Sequence, residues 1–203
     1  MRGLRVLPFL HKGEWAMYKT IMIGIDESYT KTGISVVADG RQHILKVSST
    51  RFKGCKNKSD KRRVIRGILN KLIPICQLRA SQVVIILERI RTFTGGSHLR
   101  PKYLISTGAL VATIVDTAYD YGVKCFSVDT RAWKSKIVGT SKHKDPDNPK
   151  AETIQFVLSL GITSIISKNR KGITVYDDDA CDSLCMALYG FLPKNKRNLR
   201  LEE

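Results

Sequence analysis

Two hydrophobic periods alternate along the chain. Residues 21–25, I-M-I-G-I, form a continuous apolar run of β-branched and bulky side chains, the pattern of a strand buried on both faces, and the run stops at Asp26. E-S-Y-T-K-T-G then reads as turn chemistry with Gly33 closing it, and Ile34–Val37 returns as a second strand. Asp39-Gly40 marks another turn before a strand over His43–Ser49, so three successive antiparallel strands are predicted. The period then lengthens. Val64, Ile65, Ile68, Leu69, Leu72, Ile73 and Cys76 recur at helical spacing, with Ser59 as the candidate cap and Pro74 as the point of a kink or fray. Gln82–Leu87 is apolar throughout and ends on Glu88, a second carboxylate delivered by a buried strand. Tyr103–Tyr121 reads as a helix closed by Gly122, and Val123–Val128 as a strand. Ala151–Leu160 follows as a short helix opened by Asp147-Asn148-Pro149. Residues 162–174 show no clear period, and Asp177–Asp179 open a last helix that continues through Ala180–Leu188.

These elements describe an α/β domain over residues 17–193, with a mixed five-stranded sheet flanked by helices. Residues 1–16 read as an unpacked extension and 194–203 as a loose basic and polar tail. The length, 203 residues, suits one well-buried domain. Charge changes the picture more: 35 Lys and Arg against 18 Asp and Glu leave +17, a surplus that favours a polyanionic partner such as nucleic acid. No apolar run approaches the ~20 residues of a membrane span. Five cysteines, an odd number with no C-x-x-C pair, fit free thiols in a reducing compartment, the cytoplasm. Cys181 and Cys185 share a helix face and read as core rather than as zinc ligands.

The acidic residues carry the candidate chemistry. A carboxylate closing a core strand is either a turn initiator or a ligand, and the stretch around Asp26 alone leaves both open. Asp179 and Asp182, three apart, share a face of the last helix. Capping accounts for one or two of the acids there but not for Asp182, which is flanked by apolar residues and needs a ligand. Asp26, Glu88, Asp179 and Asp182 together would make a hard-oxygen cage for Mg²⁺ beside a phosphodiester, with cations gripping the phosphates. The basic run from Arg51 to Arg66 is either a solvated face or a phosphate contact. The segment Arg89–Lys102, with its aromatic, glycine and basic residues, is the candidate substrate loop.

Three motifs in order resemble the RuvC-type Holliday junction resolvases of the ribonuclease H-like superfamily: G-I-D-E-S-Y-T-K-T-G, with Thr32 and Gly33 six and seven positions after Asp26; I-L-E-R-I around Glu88; and D-A-C-D-S-L-C-M-A-L around Asp179 and Asp182. W-K-S-K-I-V-G, followed by Lys150, resembles the family's basic segment, and the likeness spans about residues 19–190. It implies a ribonuclease H-like sheet and a Mg²⁺-dependent endonuclease with Asp26, Glu88, Asp179 and Asp182 as catalytic metal ligands. It also implies two Mg²⁺ per site, with Mn²⁺ able to substitute, four-way junctions or other branched DNA as substrate, and a homodimer. Arg91, Phe93, Lys134, Lys136 and Lys150 would contact DNA, Phe93 as the aromatic at the junction centre. Glu27-Ser28 stands where the family has Pro-Gly, Phe93 lies two positions late, and K-H-K-D-P-D-N-P is inserted, departures that look like those of a phage or mobile-element relative. Three other readings stand beside this one: a ribonuclease H or an exonuclease with the same four carboxylates, and a non-catalytic nucleic-acid-binding module. An actin-like ATPase is disfavoured, because the chain has no second glycine-rich phosphate loop.

Overall fold

A computed structural model describes residues 17–52, 54–89, 101–140, 150–168 and 171–202. Three strands open it, β1 (Tyr18–Asp26), β2 (Lys31–Ala38) and β3 (His43–Arg51), antiparallel in succession as the sequence predicts. Helix α1 (Lys58–Gln77) crosses to β4 (Ala80–Glu88), which lies parallel to β1. Helix α2 (Pro101–Asp120) crosses to β5 (Lys124–Val128), parallel to β4. Next come α3 (Thr130–Trp133), continued by a π-helical turn over Lys134–Val138, then α4 (Ala151–Ser159) and a small hairpin of β6 (Ile166–Lys168) and β7 (Thr174–Tyr176). β6 falls in the stretch without a readable period, and β7 begins at its last residue. Helix α5 (Asp178–Gly190) and β8 (Arg200–Glu202) complete the described chain.

The sheet has six strands in the order β3-β2-β1-β4-β5-β8, one more than predicted. The sixth comes from the tail that the sequence reads as loose. Its Arg200, Leu201 and Glu202 pair antiparallel with Ser127, Phe126 and Cys125, and Ser127 Oγ donates to the Glu202 carboxylate. β5 would otherwise offer an unpaired edge of N–H and C=O groups, which any short strand within reach can satisfy. A second correction concerns α1: Asn57 caps it by accepting from the Asp60 N–H at 2.8 Å, while Ser59 lies within the first turn. Pro74, in the last turn, cannot donate to the Asn70 carbonyl one turn back, which accepts from the Tyr121 hydroxyl at 3.4 Å instead, and the helix ends three residues later.

Strand alternation sorts the core into two layers. Ile21, Ile23 and Ile25 of β1, with Val83, Ile85 and Leu87 of β4, pack with Ile65, Leu69, Leu110 and Ile114 from α1 and α2. Met22, Val84, Ile86 and Val128 face the other way, against α5, Trp133 and Val157. Helix α5 is buried along its length from Ala180 to Gly190, because the sheet covers one side and α4 with the π-helical turn covers the other. Cys181 and Cys185 are buried members of this second core. No helix among the described residues is long and apolar enough to cross a membrane.

Candidate active site

Parallel pairing brings the first two carboxylates level. Ile25 pairs with Leu87, so Asp26 and Glu88, one position further on, stand side by side at the ends of β1 and β4 on the face that α5 covers. Turn chemistry does not occupy Asp26. The β1–β2 connection is held instead by Ser28 and Thr32, with Thr32 Oγ1 donating to the Ser28 carbonyl at 2.8 Å and the Ser28 and Thr30 hydroxyls 2.8 Å apart.

Two glycines let α5 lie against this sheet end. A Cβ on Gly24 would sit 1.9 Å from the Ser183 carbonyl oxygen, and one on Gly33 would sit 1.9 Å from the Asp179 carbonyl oxygen. Gly33 is therefore not a turn residue: it is a β2 residue paired with Asp26, and its missing side chain admits the first turn of α5. Ser35 extends the contact, its hydroxyl 2.7 Å from that of Ser183. The seating sets Asp179 and Asp182 over Asp26. Asp177 caps the helix by accepting from the Ala180 N–H at 3.1 Å and also takes a bond from the Ser49 hydroxyl.

Cations sit among these acids. Lys150, at the start of α4, donates from Nζ to Asp182 Oδ2. Asp182 is 3% exposed, and its Oδ1 has no hydrogen-bond partner among the described residues. Glu88 accepts from the Thr130 hydroxyl. Lys31 lies 3.1 Å from one oxygen each of Asp177, Asp178 and Asp179. Among the described residues those three aspartates are the tightest carboxylate group, with ligand oxygens within 4.8 Å of one another, and the one Lys31 ammonium is shared among all three. Asp26, Glu88 and Asp182 do not close to that distance of one another, but Asp182 is buried, Asp26 and Glu88 are half-buried beside it, and both Glu88 and Asp182 act on the charge of Asp26, which makes this deeper group the better candidate for a metal.

Electrostatics agrees with that choice. Burial first, then the charges of Asp182 and Glu88, push the Asp26 carboxyl well above the usual carboxylate range, with Lys150 opposing. Burial raises Glu88 and Asp182 as well, against the Thr130 hydroxyl bond in the first case and Lys150 in the second. Asp179 is raised by burial despite Lys31. Burial works against the Lys150 ammonium, but Asp182 and Asp26 hold its pKa above the ordinary lysine value. Only Asp178 is lowered: burial opposes the shift and Lys31 outweighs it.

A test of stability follows. Carboxyls whose pKa is raised on folding bind more protons in the native state, so stability falls as pH climbs from the ordinary carboxylate range through the raised values. The elevated lysines titrate far above this window, and Asp178 titrates below it. The metal-free melting temperature is expected to drop between pH ~4.5 and neutrality, and millimolar Mg²⁺ to restore it near pH ~7.5 but not near pH ~5. A melting temperature that rises through this range in EDTA, or a Mg²⁺ shift equal at both pH values, would refute the cage.

The remaining predicted residues divide. Lys134 lies close enough to lower Glu88 and Asp182, and Lys150 is in the cage itself. Lys136 is not at the carboxylates; it is exposed in a separate cleft with Tyr189 and Arg197. Arg91 and Phe93 lie outside the described residues, as do the extension 1–16 and the insertion with its Asp147-Asn148-Pro149 helix opening. Three residues at the site are not among the predicted site residues. Lys31 and Thr130 are ordinary polar residues in polar stretches. Glu27 follows Asp26 on the opposite face, buried with Oε2 unpartnered, and burial and the Asp26 charge push its carboxyl well up.

No protein-family model and no curated protein matches the chain at the level of sequence. Solved structures do match. RuvC of Thermus thermophilus superposes with a TM-score of 0.58 at 15% identity, over 90% of this chain and 99% of that one. The chain has the RuvC fold. RuvC of T. thermophilus in complex with Holliday junction substrate gives 0.57 at 16% identity, over 83% and 90% of the two chains. The yeast mitochondrial Holliday junction resolvase Ydc2 gives 0.54 at 12% identity, over 85% and 78%. The RuvC-like sheet is thus the framework that carries Asp26 and Glu88 at adjacent strand ends and seats the start of α5 beside them.

Proposed function

We propose that the protein is a Mg²⁺-dependent, structure-selective DNA endonuclease that cuts four-way junctions and other branched DNA. The observation that carries this reading is that Asp26, Glu88, Asp179 and Asp182 lie at one sheet end near enough for the other three to act on the charge of Asp26, with a buried Asp182 oxygen that has no partner among the described residues. The RuvC fold adds support, since one of the similar structures holds a Holliday junction substrate.

The four carboxylates would hold two Mg²⁺ ions, or Mn²⁺ in their place, which when bound supply an activated water and stabilise the leaving oxygen of a phosphodiester. The chain's own residues do the rest. Lys150 and Lys31 offset part of the acidic charge in the absence of a divalent cation, which eases the repulsion among the carboxylates. Thr130 orients Glu88 through its hydroxyl bond. Lys134, beside Glu88 and Asp182, is placed to meet a phosphate, and the +17 charge draws the polyanion in. Arg91 and Phe93, outside the described residues, are proposed contacts, Phe93 by stacking on an exposed base. A four-way junction has two-fold symmetry, so a homodimer would present two sites for paired cuts.

Synthetic four-way, three-way, linear duplex and RNA·DNA substrates, each with and without Mg²⁺, test the proposal. Cleavage of branched DNA only with the metal is the expected result. Preference for RNA·DNA would favour a ribonuclease H, and no cleavage of any substrate would leave a binding module.

A further inference from the structure

A cleft of about 560 Å³ lies away from the carboxylates, between α3 with its π-helical continuation and the segment that follows α5. Its charge is one-sided. Arg131, Lys136, Lys196 and Arg197 line it against one carboxylate, Asp129, and that carboxylate accepts from the Arg131 N–H at 2.8 Å as the cap of α3. Arg197 is part of the wall: its guanidinium donates to the Gly190 carbonyl at the end of α5, and the Asn198 N–H donates to the Tyr189 hydroxyl at 2.7 Å. With β8 paired at the sheet edge, these bonds hold the tail as a fixed rim. Arg131, Lys136 and Lys196 are exposed and have no ion-pair partner among the described residues. Asn195 and Ser135 add neutral hydrogen-bonding groups.

Three unpaired cations gathered round one cleft repel each other until a polyanion enters. The cleft's place in the fold names the polyanion. Thr130, the hydroxyl donor to Glu88, is the residue before Arg131, and Lys134 acts on Glu88 and Asp182 from the same short helical stretch that carries Lys136. That stretch is a partition, with carboxylates on one side and the cleft on the other. A helix with its side chains is about 10–12 Å across, a span of a few nucleotides at ~3.4 Å per strand step.

We propose that the cleft is a second phosphodiester-backbone site, which holds phosphates a few nucleotides along from the one at the carboxylates. The identity of the polyanion rests on the nuclease reading; the site itself rests on the cleft's residues. The cleft predicts binding that does not depend on metal or on cleavage. In EDTA, the double variant Arg131→Ala with Lys196→Ala should bind a four-way junction and a duplex more weakly than wild type. The slope of log K against log salt should be smaller by about 1.8, at ~0.9 per phosphate contact, with an unchanged melting temperature. An unchanged slope overturns the proposal, as does a wild type that binds neither DNA. Polyglutamate bound as tightly as duplex, and weakened as much by the same variant, would assign the cleft to an acidic protein and overturn it too. Wild-type junction cleavage in Mg²⁺ is scored separately, so loss of the nuclease reading alone would show as metal-independent binding, slope change intact, without cutting.

Discussion

Asp26→Asn is expected to abolish Mg²⁺-dependent cleavage, by on the order of 10²–10³-fold or more, while junction binding stays intact or tightens slightly. The metal-free protein should be as stable as wild type or more so. Asparagine keeps the shape of the side chain and removes one charge from a group in which burial, Asp182 and Glu88 already oppose ionisation. Relief of that repulsion offsets the lost Lys150 attraction, in the way that active-site residues often limit stability. A turn-capping Asp26 would behave in the opposite way, retaining cleavage and losing ~1 kcal/mol of stability. The β1–β2 turn gives that alternative little to rest on, because Ser28 and Thr32 make its side-chain bonds. If binding and cleavage disappear together, Asp26 organises the fold rather than the reaction. Junction affinity in EDTA, nicking in Mg²⁺ and the melting temperature of this variant separate the three cases.

What the sequence discloses about this site is the part written in local patterns. Two apolar runs that end on carboxylates, and a D-x-x-D at a helix start, are visible within a few residues each. Strand pairing and a helix seat bring these local features to one end of the sheet. What stays hidden depends on distant partners. Lys31 is one lysine in a turn-like stretch, and its role appears only when α5 sets three aspartates around it, well over a hundred residues later. Lys134 and Lys136 are two residues apart in one basic segment, yet helical phase sends them to different sites. β8 is three residues of weak strand character that form a strand because β5 has an open edge. Gly33 looks like turn punctuation, since the reason for a glycine there is the backbone of a helix that the local sequence does not mention.

Gly33→Ala is therefore the second large effect expected. The new Cβ would meet the Asp179 carbonyl oxygen at 1.9 Å, its carbon at 2.4 Å and the Ala180 nitrogen at 3.0 Å. All three are backbone atoms, so no rotamer change clears the contact and the helix start itself must lift. Overpacking against yielding side chains costs ~1–3 kcal/mol, and against fixed backbone the upper end or more is expected. Gly24→Ala makes a similar clash four residues further along α5, at the Ser183 carbonyl and the Ala187 nitrogen. Both variants should lower the melting temperature by many degrees, but they should differ in their response to metal. Gly33 is the register partner of Asp26, so lifting the helix there moves Asp179 and Asp182 away from Asp26. Gly24 lies deeper, where the displaced turn carries Ser183 and Ala187 over the apolar core. Measured at a temperature where each is still folded, Gly33→Ala should lose most of its Mg²⁺-induced rise in melting temperature, and Gly24→Ala should keep more of it. A Gly33→Ala protein with wild-type stability and a wild-type Mg²⁺ response would mean that α5 is not seated on β2, and the carboxylate cage would lose its framework.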